Sequence, residues 1–346
     1  MADDPTPAPE DGRPLIDGFG RTISYLRVSV TDRCDFRCAY CLSDSVTFVP
    51  KSEVLRLEEL ERLCRAFVDL GVSRLRLTGG EPLIRPGFMG LARGLGALVH
   101  QGRIRELTLT TNAVRLREMA GELADCGIQR VNISLDTLDA GRFRALTRHG
   151  DHERVLAGIE AARTAGLTVK INCVALKGVN EDEFDRLIGW CGERGFDLTL
   201  IEVMPLGDAG GTLRSGQFLA LDEVRRRLER RWTLEPLSER TGGPARYHRI
   251  RETGCRLGLI TPISGSFCDS CNRVRLTATG RLYLCLGQEQ SVELREPLRA
   301  IPAGNLAALH ALLRRAVAHK PEGHQFVPGA CPASGLPHRP MSATGG

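Results

Sequence analysis

Three cysteines lie together in one short loop after the first predicted β-strand, in the order Cys34-x-x-x-Cys38-x-x-Cys41. A structural zinc site takes four ligands, and no fourth cysteine or histidine lies nearby in the sequence. A four-iron cluster normally takes four cysteines, so three thiolates leave one iron with an open coordination position. An open iron is what a cluster needs if it binds and reduces a substrate directly. The spacing therefore favours an iron–sulfur cluster, and a zinc loop completed by a distant ligand is the alternative.

A second set of three cysteines lies towards the C-terminus, Cys268-x-x-Cys271 followed by Cys285. The Cys-x-x-Cys pair alone is also typical of half a zinc ribbon or of a redox pair. A zinc ribbon would need a second pair, and only one cysteine follows, so we favour another cluster with an open iron. The other cysteines are scattered and are interpreted as small buried hydrophobic residues: Cys64, Cys126, Cys173, Cys191, Cys255 and Cys331.

The elements that must position these cysteines alternate between strand and helix patterns as far as Met204, which predicts an α/β fold with a parallel sheet. The predicted strands are Leu26–Val30, Arg74–Thr78, Glu106–Thr110, Arg130–Ser134, Thr168–Val174 and Leu198–Val203. Helices are predicted at Leu57–Leu70, between Asp151 and Gly166, and at Glu181–Arg194.

Small and polar residues follow the carboxyl ends of these strands. They are Cys34–Cys41, Gly79–Pro82, Thr110–Asn112, Ser134–Asp136 and Glu202–Met204. In α/β barrels this face carries the chemistry. A curved sheet or partial barrel therefore explains the pattern better than a flat sheet does.

The pattern changes after Met204. Short strand-like runs at Arg256–Ile260, Arg273–Thr277 and Leu282–Leu286 lie between predicted helices at Leu221–Trp232 and Asn305–Ala318. We predict a disordered tail over residues 1–14, a first domain with the first cysteine set over 15–233, and an α+β second domain over 234–346.

The bulk properties exclude some classes of protein. A net charge of +5 over 346 residues, with 5% aromatic residues, argues against nucleic-acid binding. No apolar run approaches the ~18 residues of a membrane span, and the N-terminus lacks the features of a secretory signal. We therefore expect a cytoplasmic protein with no nucleic-acid or membrane partner.

The first cysteine loop together with Gly79-Gly80-Glu81-Pro82 resembles the radical S-adenosylmethionine superfamily. In that superfamily the open iron chelates the amino and carboxylate groups of S-adenosylmethionine, which is cleaved to methionine and a 5′-deoxyadenosyl radical. The glycine-rich run approaches the methionine part, because glycine allows close backbone approach to a ligand.

The chain from Leu15 onward is similar to the molybdenum cofactor biosynthesis enzyme A family, the GTP 3′,8-cyclases. The matching segments are Arg27–Cys34, Arg76–Pro82, Thr110–Asn112, Asn132–Asp136, Lys170–Asn172, Lys177–Asn180, Phe267–Arg275 and Gly345–Gly346. The resemblance implies an incomplete six-unit (β/α) barrel, a partial TIM barrel, closed by an α+β C-terminal domain. It implies abstraction of the C3′ hydrogen of the GTP ribose by the 5′-deoxyadenosyl radical, giving (8S)-3′,8-cyclo-7,8-dihydro-GTP in the first step of molybdenum cofactor (molybdopterin) biosynthesis.

The resemblance also assigns roles to individual residues. It implies two [4Fe-4S] clusters, one on Cys34, Cys38 and Cys41 and one on Cys268, Cys271 and Cys285. S-adenosylmethionine contacts are expected from Tyr40, Gly80, Ser134 and Met204, and GTP contacts from Arg27, Arg76, Thr110, Lys170, Arg273 and Arg275. Catalytic roles are expected for Arg273, Arg275, Gly345 and Gly346, because the family threads its terminal double glycine into the active site. The implied partners are an electron donor such as flavodoxin or ferredoxin, and the cyclic pyranopterin monophosphate synthase that follows; the chain is expected to be a monomer or homodimer.

Some of these roles also follow from the residues themselves. Lys170 lies among apolar neighbours in a predicted buried strand, where a charge normally has a partner; the alternative is a strand-end lysine in water. Arg273 and Arg275 alternate on one strand and so point to the same face, where guanidinium groups suit phosphate oxygens; the alternative is a solvated basic face. No Gly-x-x-x-x-Gly-Lys-Ser/Thr loop occurs, so a triphosphate must be held by side chains of this kind.

The chain departs from the family pattern at three positions. Thr199 stands where an arginine is frequent, Val203 where an aromatic residue is common, and Ala113 where a glycine is common.

Two other functions are alternatives to this one. The first is another radical S-adenosylmethionine enzyme with an auxiliary cluster, such as a peptide modifier, and the second is a non-enzymatic zinc-binding protein.

Overall fold

The computed structural model describes residues 13–42, 46–206, 216–238, 243–265, 267–324, 326 and 339–345. Most of the predicted N-terminal tail, together with Cys331 and Gly346, lies outside the described residues.

The described strands form one mixed sheet. They are β1 (Tyr25–Ser29), β2 (Arg74–Thr78), β3 (Glu106–Thr111), β4 (Arg130–Ser134), β5 (Thr168–Ala175), β6 (Asp197–Glu202), β7 (Leu234–Leu237), β8 (Arg246–Ile250), β9 (Arg256–Ile260), β10 (Arg273–Leu276), β11 (Arg281–Tyr283) and β12 (Ser291–Glu293). The strand order is β12-β11-β10-β1-β2-β3-β4-β5-β6-β9-β8-β7.

Strands β1 to β6 pair in parallel in chain order, which confirms the six strands predicted from the sequence. Their apolar side chains are buried, as expected of parallel strands that connecting helices cover. The carboxyl ends of the six strands therefore meet at one rim, as the partial barrel requires.

The C-terminal strands extend this sheet at both edges. β10 pairs in parallel with β1, and β9 pairs in parallel with β6. β11 and β12 continue beyond β10, and β8 and β7 continue beyond β9, all in antiparallel pairs. The short, charged strands β7, β8 and β12 were not predicted, because they lack a sustained apolar alternation.

The described helices follow the predicted alternation. They are α1 (Leu57–Asp69), α2 (Phe88–His100), α3 (Leu116–Asp125), α4 (Ala140–Thr147), α5 (His152–Thr164), α6 (Phe184–Arg194), α7 (Leu221–Leu228), α8 (Arg295–Ala300), α9 (Leu306–Ala318) and α10 (Met341–Thr344). The first turns of α4, α5 and α9 are capped by the side chains of Asp139, Asp151 and Asn305, each accepting the N–H three residues on. Among the described residues, no helix has both the length and the apolar composition needed to cross a membrane.

The helix ends offer a direct test of the backbone geometry. Gly195 ends α6 with φ of +69°, and a Cβ there would touch nothing within 4 Å. An alanine at this position would therefore be unfavourable only because of its backbone conformation. Gly189 lies inside the same helix with equally open surroundings. We expect Gly195→Ala to lower the free energy of unfolding by about 1 kcal/mol and Gly189→Ala to raise it by about 0.5–1 kcal/mol. Chemical unfolding of both variants measures the two changes, and equal signs would contradict the geometry.

Candidate functional site

The first cavity opens at the carboxyl ends of β1 to β6 and encloses about 1250 Å³, counting space open to solvent. Its walls include residues from every motif predicted to meet at this rim: Cys34, Cys38, Tyr40, Cys41, Gly79, Gly80, Glu81, Thr110, Asn112, Ser134, Asp136, Glu202 and Met204. The parallel sheet thus brings together segments far apart in sequence, as expected.

The three thiols of the first set line this cavity from a single turn. The N–H of Cys41 donates to the carbonyl of Cys38 (2.9 Å), and the N–H of Phe36 points at the sulfur of Cys34 (3.4 Å). Among the described residues, no three His, Cys, Asp or Glu side chains converge tightly enough to hold one metal ion. A four-iron cluster has a different requirement, because its thiolates bind separate irons around a larger body.

Tyr40, between the last two of these cysteines, is fixed by a buried carboxylate. Its hydroxyl donates to Asp136 Oδ2 (2.6 Å), and Asp136 Oδ1 accepts the N–H of Val174 (2.8 Å). Burial raises the pKa of Asp136 to about 6, while the two hydrogen bonds act in the opposite direction. The cysteine loop is therefore tied to the ends of β4 and β5.

The glycine pair at the end of β2 is required by the chain's own backbone. A Cβ at Gly80 would lie 2.1 Å from the carbonyl oxygen of Arg33, and one at Gly79 would lie 2.4 Å from that of Thr31. Close packing against the segment that leads into Cys34 thus adds a reason for glycine beyond the predicted approach to a ligand.

Glu81, the next residue, holds the neighbouring turn from inside the protein. Its carboxylate accepts the N–H groups of Leu83 (3.0 Å) and Asn112 (2.7 Å) and the hydroxyl of Thr111 (2.8 Å). Burial raises its pKa to about 7 despite these donors. Sequence reasoning quoted this residue within its motif and gave it no role.

A second cavity of about 1110 Å³, counting space open to solvent, adjoins the first. It is lined by the second cysteine set, by basic residues and by aromatic residues: Cys268, Cys271, Cys285, Arg27, Arg76, Lys170, Arg273, Arg275, Tyr247, Phe267, His324 and Phe326. Asn172, Ile201, Met204 and Met341 line both cavities. The two cysteine sets therefore line adjacent cavities that share these four residues in their walls.

The two cysteine sets differ in electrostatic surroundings. Burial raises the pKa of Cys34, and the charge of Glu81 adds to the effect. Burial also raises the pKa of Cys271, but the charges of Arg273 and Lys320 outweigh it, together with hydrogen bonds from Arg273, and bring the pKa to about 7. The first set is thus flanked by carboxylates and the second by cations.

Three arginines stand side by side on neighbouring strands of the second cavity. Arg27 of β1 is in register with Arg275 of β10 on one side and with Arg76 of β2 on the other. Burial lowers the pKa of Arg27 below its ordinary value, and the charges of Arg275 and Arg76 lower it further. Like charges directly opposite one another in a sheet are unfavourable, so this row favours an anionic ligand.

Lys170, which the sequence placed in a buried strand with a partner, is 6% exposed. Its ammonium donates to the hydroxyl of Tyr247 and lies 4.8 Å from the centre of that ring. Burial lowers the pKa of Lys170 to about 7, and the charges of Arg130 and Arg76 add to the effect. The solvated alternative for Lys170 is therefore wrong, and Tyr247 is a contact that the sequence did not reveal.

The C-terminal segment lies between the two cavities. Arg275 donates to the carbonyl of Gly345 (2.5 Å), and a Cβ at Gly345, whose φ is +75°, would lie 2.1 Å from Thr78 Cγ2. Upstream, the guanidinium of Arg339 donates to the carbonyls of Cys285 (3.1 Å) and Leu286 (2.6 Å). The segment is therefore attached at both ends to walls of the second cavity.

The structure also describes Thr110, Thr199, Ala113 and most of the scattered cysteines, which the sequence analysis singled out. Thr110, expected to contact GTP, lines the first cavity, and its buried hydroxyl has no hydrogen-bond partner among the described residues. The hydroxyl of Thr199 is buried and likewise unpartnered there. Ala113 has φ of +70°, which explains physically why a glycine is common at this position in the family. The scattered cysteines that the structure describes are buried, or nearly so, as predicted.

Comparisons with known proteins agree with this geometry. A family model described as "Radical SAM superfamily" matches residues 28–191, and one described as "Molybdenum Cofactor Synthesis C" matches residues 196–326. Among solved structures, Streptococcus suis SuiB bound to S-adenosylmethionine superposes with a TM-score of 0.60 over 86% of this chain and 68% of that one, at 17% identity. Fold and site together define a radical S-adenosylmethionine protein.

Curated relatives narrow the class. The chain is 57% identical over 333 residues to the GTP 3′,8-cyclase of Paracoccus denitrificans, with 96% of each chain covered. It is 55% identical over 341 residues to that of Rhodopseudomonas palustris, covering 99% of this chain and 98% of the relative. The chain belongs to the GTP 3′,8-cyclase family.

Membership of the radical S-adenosylmethionine superfamily implies a [4Fe-4S] cluster and S-adenosylmethionine as cofactors. The residues of the first cavity fit them. Three thiols line the cavity, no side chain stands at Gly79 or Gly80 in its wall, and the buried hydroxyl of Thr110 in the same lining has no hydrogen-bond partner among the described residues.

The lowered pKa of Lys170 predicts a pH-dependent stability. Between about pH 7 and 10 the unfolded chain binds a proton on this lysine that the folded chain progressively releases, so the free energy of unfolding rises with pH. Lys170→Met removes that dependence. The free energy of unfolding of Lys170→Met should exceed that of the parent protein by the largest amount near pH 7. Above pH 7 this difference should shrink by up to about 1.4 kcal/mol per pH unit.

Urea unfolding without GTP at three pH values measures this difference. Lys177→Met is the matched control, because Lys177 is exposed. A gain for Lys170→Met that stays constant with pH would contradict the prediction.

Proposed function

We propose that this chain cyclises GTP to (8S)-3′,8-cyclo-7,8-dihydro-GTP as the first step of molybdenum cofactor biosynthesis, with both cysteine sets holding [4Fe-4S] clusters. The single observation that carries the proposal is that the two cavities, one lined by each cysteine set, share Asn172, Ile201, Met204 and Met341 in their walls. A radical formed in the first cavity would therefore arise next to a substrate held in the second.

The first cavity is the proposed S-adenosylmethionine site. When bound there by Cys34, Cys38 and Cys41, the first cluster supplies the electron that cleaves the sulfonium. Tyr40, held by Asp136, and the exposed Ser134 would contact the cofactor, while Gly80 would leave room for its methionine part.

The second cavity is the proposed GTP site, with the second cluster on Cys268, Cys271 and Cys285. The in-register row of Arg27, Arg76 and Arg275 suits the triphosphate, since planar guanidinium groups pair well with phosphate oxygens. Lys170 lies in the same cavity, and a triphosphate would favour its charged form. The Arg273 guanidinium lies over the Phe267 ring (5.2 Å) and 3.9 Å from the sulfur of Cys271, so it would contact GTP beside the second cysteine set.

The positions of Thr110 and Met204 support a proposed meeting point of the two ligands. Thr110 lies on the first cavity and Met204 on both, so the ribose of GTP would lie near them with C3′ towards the first cavity. The hydrogen bond from Arg275 to the carbonyl of Gly345 supports a catalytic role for Gly345, and the same role is proposed for Gly346.

The proposed partners follow from the chemistry. Cleavage of S-adenosylmethionine needs one electron from outside, so a low-potential donor such as flavodoxin or ferredoxin is required. The cyclised product would pass to a cyclic pyranopterin monophosphate synthase. Residues 15–233 are proposed to form the radical domain and 234–346 the domain that closes it, although strands of both share one sheet.

The test is to substitute one cysteine of each set. Anaerobically reconstituted parent protein should hold about eight irons, four for each cluster, and Cys34→Ala and Cys271→Ala about four. With GTP, S-adenosylmethionine and dithionite, Cys34→Ala should form neither 5′-deoxyadenosine nor cyclised product. Cys271→Ala should still form some 5′-deoxyadenosine and no cyclised product.

Cys126→Ala, outside both sets, is the control and should match the parent in iron and product. Near-normal cyclisation by Cys271→Ala would overturn the assignment of the second set. Stoichiometric zinc without labile sulfide in the parent protein would favour the zinc-binding alternative.

The arginine row predicts a separate effect on substrate. Arg275→Ala should weaken GTP binding roughly ten- to a hundredfold, because a charge-assisted contact to phosphate contributes about 1.5–3 kcal/mol, while iron content stays unchanged. Equilibrium binding of GTP measures the loss. Arg281→Ala, an exposed position on the next strand, is the control and should bind GTP normally. If Arg275→Ala and Arg281→Ala bound GTP with equal affinity, Arg275 would have a purely structural role.

A further inference from the structure

Lys320, two residues beyond the end of α9, is a buried cation beside the second cysteine set. It is 2% exposed, and its ammonium donates to the carbonyl of Leu284 (2.7 Å) and to the sulfur of Cys271 (3.5 Å). Among the described residues, no carboxylate forms an ion pair with it. A buried ammonium is costly without an anionic partner, and within the described part of the chain the candidate in contact with it is the thiolate of Cys271.

The lysine bridges the two segments that carry the second cysteine set. Cys271 belongs to the turn that begins at Cys268, whereas Leu284 directly precedes Cys285. A single ammonium that bonds to both segments fixes their separation. The spacing of thiolates around a cluster depends on that separation.

Lys320 is itself held in place from the N-terminal side. Arg21 donates to the carbonyls of Cys268 (2.8 Å) and Pro321 (2.6 Å), and its Nε is 2.6 Å from Asp17 Oδ2. A Cβ at Gly323 would lie 3.3 Å from the sulfur of Cys268. The segment that follows α9 is thus pressed against the cysteine turn, so the lysine has little freedom to turn towards solvent.

We propose that Lys320 is a positioning residue of the second cysteine site, which holds its two segments together and raises the reduction potential of the cluster bound there. The inference rests on the proposed second cluster. A nearby cation stabilises the reduced, more negative form of a cluster more than the oxidised form, and charge and hydrogen bonds to sulfur are known levers on the potential. At the first cysteine set the nearby charges that act on Cys34 and Cys38 include those of carboxylates, Glu81 and Asp136 among them.

The test compares Lys320→Met and Lys320→Arg with the parent holoprotein, reconstituted anaerobically. Redox titration followed by electron paramagnetic resonance reports both clusters, so the first cluster is an internal control. Lys320→Met should make reduction of the second cluster about tenfold less favourable, a negative shift of about 59 mV, and leave the first unchanged. Lys320→Arg should restore most of the potential, and Lys177→Met should have no effect.

The outcomes are distinguishable. Loss of the second cluster alone in Lys320→Met, with normal iron in Lys320→Arg, would also support the positioning role. Full iron content with unchanged potentials in Lys320→Met would overturn this inference and leave the proposed function intact. A parent protein that holds only one cluster would instead overturn the second cluster itself, and this inference with it.

Discussion

The parallel pairing of β10 with β1 brings the C-terminal third of the chain into the barrel. It places Arg275 beside Arg27, and Arg27 is already beside Arg76, so three guanidinium groups are held in register. The same pairing carries the Cys268–Cys271 turn, which directly precedes β10, to the edge of the cavity. Without this pairing neither the basic row nor the second cysteine set would face the rim formed by β1 to β6.

Buried carboxylates and amides hold the loops around this arrangement. Glu202 at the end of β6 is fully buried and accepts the N–H groups of Leu221, Ile263 and Ser264, so it links the barrel to the segments that follow it. Asn180 donates to the carbonyls of Asp136 and Val174. Because each of these groups is satisfied internally, the loops at the rim are fixed although they have no regular secondary structure.

The C-terminal segment contacts the walls of both cavities. Arg339 bonds to the carbonyls of Cys285 and Leu286 and lies 4.0 Å from the centre of the Tyr283 ring, so the segment depends on the second cysteine loop. Met341 then lines both cavities, and Gly345 reaches Arg275. A change in the second cysteine loop would therefore shift the C-terminal segment near the place where the two substrates are proposed to meet.

The sequence by itself determined the six parallel strands, the two cysteine sets and the rim at which the motifs meet, because these depend on local periodicity and short spacings. Strand alternation and glycine or aspartate at helix ends are readable within a few residues, and Asp151 and Gly195 are examples. Thr110 is an example of what the sequence left open. The resemblance to the family implied that Thr110 contacts GTP, but only the structure showed which cavity this residue lines.

Contacts between distant segments were decided by the tertiary structure alone. Lys170 donates a hydrogen bond to Tyr247, Lys320 donates one to the sulfur of Cys271, and Arg21 donates one to the segment after α9. These pairs are far apart in sequence, so no local pattern predicts them. The joining of the C-terminal strands to both edges of the sheet is of the same kind, since short charged strands such as β8 acquire their conformation from the partner they pair with.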